Sequence, residues 1–236
     1  MFPSFQAGFV RGEANDGDPC RGKPVAPCIA TAAAQIAPLR RDLFALSAYP
    51  SFLGPPVGGS SFANGAGNFS FGARLGSSFE GYLEPILAAL PHAAERLAIA
   101  ETGAIATNVT VQVGSGGKHE CVTLLQSDAR LAAGWLQYLV NVAKASASGF
   151  ELLTWWSDAD YMPASVEVEC FSEACSWPHK TAPYCQIIDL FRTVYKAKGG
   201  EWTGELVLKE FGTIGLREYD LTPRPELFEV WRQLRR

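Results

Sequence analysis

Several kinds of residue and pattern are scarce in this chain of 236 residues, and each scarcity closes off a class of protein. Histidine occurs three times, at His92, His119 and His179, too scattered to suggest a metal centre. No Cys-x-x-Cys pair is present, which weighs further against zinc. No apolar run approaches the ~18 residues that a membrane span needs. Basic residues are not in excess: 20 Lys and Arg stand against 24 Asp and Glu, a net charge of −4. A protein that binds nucleic acid should carry a basic face, so nucleic acid is not expected as a partner. The cluster from Arg232 to Arg236 reads instead as a helix end matched to its dipole. Met1 leads straight into Phe-Pro-Ser-Phe, without the basic and apolar regions of a signal peptide. The Gly-rich run Gly114-Ser-Gly-Gly117 lacks the strand-to-helix setting of a phosphate loop.

What remains is the composition of a globular protein, 47% apolar and long enough to bury a real core. Six cysteines (Cys20, Cys28, Cys121, Cys170, Cys175 and Cys185) permit disulfides, and most lie in loops that a staple would stiffen. Their pairing is open, and they are the one hint of export to a secreted or periplasmic setting. Asn68-Phe-Ser and Asn108-Val-Thr match the glycosylation sequon, a pattern short enough to arise by chance.

Along the chain, strand and helix signals alternate. Phe2 to Gln6 reads as the tail of a strand, followed by a polar loop from Ala7 to Pro27. Ile29 to Ile36 suits a short helix stopped by Pro38. Asp42 to Tyr49 is apolar on both faces, the mark of a buried parallel strand. Pro50 to Ser77 is a long loop. Phe79, Tyr82, Leu83, Ile86, Leu87 and Leu90 recur at helical spacing, with Pro85 marking a kink or a start. Leu97 to Glu101 is the second clear strand, with Leu97, Ile99 and Glu101 placed by alternation on one face. Residues 108–125 read as a hairpin-like excursion. Ser127 offers an N-cap for a helix running to about Ala147, and Phe150 to Trp156 is a further strand. A helix is expected around Tyr184 to Tyr195, and another from Pro225. Such alternation implies an α/β fold with a parallel sheet covered by helices, a single domain over 1–236.

Three successive strand ends carry residues with chemistry. Glu101 closes an apolar strand, where a carboxylate is costly to bury unless paired or functional. The plain alternative is a strand-end glutamate that reaches solvent. Tyr49 ends its strand likewise, and Trp155 and Trp156 end theirs. Aromatic strand ends can form the stacking floor of a sugar site, although core packing is their commoner fate.

These segments resemble the C-terminal half of the retaining (β/α)₈-barrel glycoside hydrolases of clan A. The resemblance rests on Met1-Phe-Pro-Ser-Phe-Gln6, Leu46-Ser-Ala-Tyr-Pro50, Ile99-Ala-Glu-Thr-Gly103, Leu153-Thr-Trp-Trp-Ser157 and Gly215-Leu-Arg-Glu-Tyr-Asp-Leu-Thr-Pro-Arg-Pro225. Their order is similar to strands five to eight and the last helix of that barrel, a partial (half) TIM barrel. The resemblance implies Glu101 as catalytic nucleophile. It implies Tyr49 lining the sugar site, Trp155 or Trp156 as its floor, and Gln6 as a hydrogen-bonding partner of substrate. It implies a carbohydrate substrate with β-linkages and no cofactor or metal.

One departure bears on activity. In the clan the acid/base glutamate follows strand four, and nothing here matches it; Glu13 follows the first strand instead. The expectation is an N-terminally truncated barrel, weak or inactive as an isolated hydrolase. Its outer strands, Phe2–Gln6 and Phe150–Trp156, would be open to self-association. The alternatives are a non-catalytic carbohydrate-binding or pseudoenzyme barrel, and a structural α/β domain in which Glu101 is incidental.

Overall fold

The structure is a computed structural model that describes residues 4–7, 24–36, 43–50, 73–74, 79–89, 96–113, 120–145, 150–163, 185–186 and 212–235. Its strands are β1 (Ser4–Gln6), β2 (Leu43–Ala48), β3 (Ala73–Arg74), β4 (Arg96–Thr102), β5 (Val109–Val113), β6 (Glu120–Gln126) and β7 (Phe150–Trp155). Its helices are α1 (Val25–Ile36), α2 (Glu84–Ala89), α3 (Ala129–Ala145) and α4 (Pro225–Arg232), the last running on as a 3₁₀ turn over Gln233–Arg235. Of the sequence expectations, Glu13, the three histidines, Cys20, Cys170, Cys175 and the Asn68 sequon lie outside the described residues. So do most of the Pro50–Ser77 loop and all of the Tyr184–Tyr195 helix except Cys185 and Gln186.

Four strands form one sheet in the order β1-β2-β4-β7, every neighbouring pair parallel. The chain is thus α/β with parallel strands laid side by side in chain order. No closed barrel forms among the described residues; β1 and β7 are the two outer strands. A smaller sheet joins β5 and β6 as an antiparallel hairpin, with β3 added in parallel to β6. β3 falls within the Pro50–Ser77 segment read as a loop. With only Ala73 and Arg74 it is too short to leave a periodic signal.

Parallel neighbours in chain order, joined by right-handed crossovers, place their helices on one face. The core follows that rule. Phe44, Leu46 and Ala48 of β2 stand beside Leu97, Ile99 and Thr102 of β4, and all are buried. Trp135 of α3 sits on this face, fully buried, its indole N–H donating to Thr102 Oγ1 at 2.9 Å. Thr102 Oγ1 in turn donates to the Ala48 carbonyl, so one hydroxyl ties α3, β4 and β2 together. Phe79, Tyr82 and Tyr138 surround Trp135 with ring centroids 5.2–5.5 Å from its own, the tilted and edge-on geometry that aromatic rings prefer. Tyr138 also fixes the entry to α2: its hydroxyl accepts from Leu83 N and donates to Glu84, both at 2.7 Å.

Helix boundaries differ from the sequence reading in instructive ways. α1 begins at Val25, four residues earlier than Ile29. Pro27 therefore lies in its first turn, where a helix has no partner for the missing N–H. Asp128, and not Ser127, caps α3, its Oδ1 accepting from the backbone N–H groups of Arg130 and Leu131 at 2.9 Å each. Ser127 instead donates its hydroxyl to the Ile105 carbonyl at 2.6 Å and its N–H to Asn108 Oδ1 at 3.0 Å, closing the loop that holds the hairpin. α4 starts at Pro225, which occupies the first turn. Cys28 and Cys185 are both disulfide-bonded.

Candidate functional site

The site begins with an extra residue. Leu46 pairs with Ile99, but the next residue, Ser47, pairs with Glu101, so Ala100 is a β-bulge. Because side chains alternate across a strand, one inserted residue reverses the facing of everything after it. Glu101 therefore does not share the face of Leu97 and Ile99, as simple alternation placed it. It stands with Ala45 and Ser47, on the face opposite Trp135. The same irregularity reappears against β7, where Leu153 pairs with Ile99 and Trp155 with Thr102.

The bulge gathers the candidate residues. Ser47 Oγ donates to Glu101 Oε2 at 3.2 Å, and Glu101 is half-buried. Tyr49, two residues beyond Ser47, is 8% exposed. Burial first, then the neighbouring Glu101 carboxylate and a smaller contribution from Tyr161, push its phenol far above the ordinary tyrosine range. A phenol held neutral this way keeps its proton, and its O–H can donate toward an acceptor such as the carboxylate. Gln6 ends β1 in register with Ser47, so Gln6, Ser47 and Glu101 form one row across three strands.

The two tryptophans part company. Trp155, in register with Thr102, is 7% exposed and gives its indole N–H to the Ile214 carbonyl at 2.7 Å. Trp156, the next residue, falls by alternation on the opposite side of the sheet, that of Glu101, and is 39% exposed. Its backbone N–H donates to the Thr102 carbonyl at 2.6 Å, and the Trp156–Ser157 peptide is cis. Trp156 is thus the more exposed of the two rings, while Trp155 anchors the sheet to residues 212–216.

That anchor is extensive. Ala106 N–H donates to Thr213 O at 2.9 Å, and Leu216 N–H to Ser157 O at 3.2 Å. Gly103 lies so close to Trp156 O that a Cβ there would sit 2.9 Å from it. Beneath them Asp160 and Arg224 form a buried bidentate ion pair, with Nη2–Oδ2 at 2.6 Å and Nη1–Oδ1 at 2.8 Å. Arg224 Nη1 also reaches the carbonyls of Gly215 and Arg217, and Gly215 N–H donates to Asp160 Oδ1 at 2.9 Å. Burial pushes the Asp160 carboxyl up, while Arg224 and the Gly215 N–H pull it back. A Cβ on Gly215 would come within 2.4 Å of the Ala159 and Asp160 backbone, so only glycine fits there.

Sequence reasoning did not single out Ser47, Thr102, Asp160 or Arg224 as functional or architectural residues. A signal existed for Ser47, a polar residue inside an apolar strand, and for Arg224, set between Pro223 and Pro225. No group of three or more His, Cys, Asp or Glu that could hold a metal is found among the described residues. No helix among them is long and apolar enough to cross a membrane. No family model matches the chain, and no curated protein matches it.

Proposed function

We propose that the chain forms the C-terminal part of a (β/α)-barrel glycoside hydrolase that cleaves β-linked oligo- or polysaccharides, with Glu101 as its nucleophile. The carrying observation is the bulge that turns Glu101 onto the face of Ser47, Tyr49 and the exposed Trp156. A carboxylate steadied by a hydroxyl donor beside an exposed indole suits attack on a sugar whose apolar face rests on the ring. Asp160 is committed to Arg224 and cannot serve as the acid. Retaining hydrolysis needs a second carboxylate about 5–5.5 Å from the first. The proposed acid/base belongs to a barrel portion beyond these strands, and the isolated chain is a weak hydrolase. Without an acid, the aromatic face alone would act as a carbohydrate-binding surface, the second reading.

A substrate with a good leaving group separates the two. A 2,4-dinitrophenyl 2-deoxy-2-fluoro-β-glycoside needs no protonation to depart. Glu101 Oε attacks C1, the dinitrophenolate leaves with the bonding electrons, and a glycosyl ester remains on the protein. Intact mass should rise by one fluorosugar in the wild type and not in Glu101→Gln. No labelling with gluco-, galacto- or manno-configured reagents would refute the nucleophile.

A further inference from the structure

Between two buried neighbours, one aromatic ring projects outward. Asp160 has a fully buried side chain and Met162 is 2% exposed, yet Tyr161 is 47% exposed. Its backbone is not free to wander. Tyr161 N–H donates to Gly212 O at 2.9 Å, Asp160 N–H to Arg217 O at 3.1 Å, and Met162 N–H to Gly212 O at 3.3 Å. The segment starts at Trp156, which is hydrogen-bonded to Thr102, the residue after Glu101. The Asp160–Arg224 pair then holds its far end. Tyr161 also lies within electrostatic reach of Tyr49, two residues beyond the Ser47 that bonds Glu101.

We infer that Tyr161 is a ligand-contacting residue of the Glu101 site, a second ring beside Trp156 on a backbone already immobilised for binding. This rests on the carbohydrate reading above. An aromatic side chain has few torsions to freeze, and a fixed backbone removes the ordering cost that a mobile loop would add on binding. Tyr161 therefore supplies affinity through its ring face, with the hydroxyl secondary. Trp156 and Tyr161 together select ligands with apolar pyranose faces over flexible polyols such as glycerol.

The test is calorimetric titration of the full chain with cellotetraose and laminaritetraose, using wild type, Trp156→Ala, Tyr161→Ala and Tyr161→Phe. Tyr161→Ala should weaken the tetrasaccharide that binds best by about tenfold, and Tyr161→Phe by less than about threefold. Because Tyr161 is exposed, circular dichroism should be unchanged in both, so a loss of affinity cannot be a loss of fold. If Trp156→Ala weakens binding while Tyr161→Ala stays within about twofold of wild type, the role of Tyr161 is refuted and the sugar site stands. If the wild type binds neither tetrasaccharide at millimolar concentration, the sugar site and the inference fall together.

Discussion

Breaking the Asp160–Arg224 pair should be far more damaging than removing any surface ion pair of this chain. Both side chains are nearly inaccessible, Asp160 at 0% and Arg224 at 5% exposure. Arg224→Met keeps much of the stem volume but leaves a buried carboxylate with Gly215 N–H as its remaining donor. Removing one partner of such a pair costs about 3–5 kcal/mol, a large part of the ~5–15 kcal/mol that holds a typical domain folded. The cost should also depend on pH. Burial, the largest influence on Asp160, already raises its carboxyl above the ordinary 3.8, and Arg224 is what opposes it. Without Arg224 the folded carboxyl rises further, so the folded state binds a proton that the unfolded chain has released. Stability then falls as pH rises through that window, and the deficit shrinks as pH is lowered through it. Urea unfolding followed by tryptophan fluorescence reads this directly, since Trp155 is bonded to Ile214 beside the pair. Asp160→Asn, which strands the guanidinium, should cost a similar amount. The double variant should be less destabilised than the sum of the two by about 1–3 kcal/mol. Single variants each costing under about 1 kcal/mol, or strictly additive ones, would show that the pair does not hold this segment.

Two other perturbations test the scaffold. Thr102→Val keeps the shape but leaves the Trp135 indole N–H and the Ala48 carbonyl without their hydroxyl; a loss of about 2–4 kcal/mol is expected in urea, and Thr102→Ser should recover most of it. Leu221 is 61% exposed and sits at φ +71°, in the left-handed region. Leu221→Gly should therefore be neutral to stabilising, by up to about 1 kcal/mol in a thermal melt, where most exposed Leu→Gly changes destabilise.

β2 was legible because burial on both faces writes itself as a near-continuous apolar run from Leu43 to Ala48. α3 was legible because Leu131, Trp135, Tyr138 and Val142 recur at helical spacing. Its cap was misassigned because Ser127 and Asp128 are both good N-cap residues. What decided between them was tertiary: Ser127 is drawn to the Ile105 carbonyl on the strand-to-hairpin loop. The Asp160–Arg224 pair was illegible for a related reason. Its members are 64 residues apart, and no local pattern joins them.

Glu101 shows where sequence reading reaches its limit, since its identity was legible and its surroundings were not. Alternation counted from Leu97 assigns it to the helix-packed face, where a carboxylate would be buried among Trp135, Phe44 and Leu46. A strand in that register could not keep a charge at its end without a large desolvation cost. The bulge at Ala100 removes the conflict: Ile99 stays with the core, and two residues later the chain has changed faces. Thr102 then falls back toward the helices, where its hydroxyl accepts from Trp135. The two polar residues at the end of β4 are thereby sent to opposite faces, each toward a partner that suits it. An apolar strand ending in adjacent polar residues is thus reason to ask whether the register slips just before them.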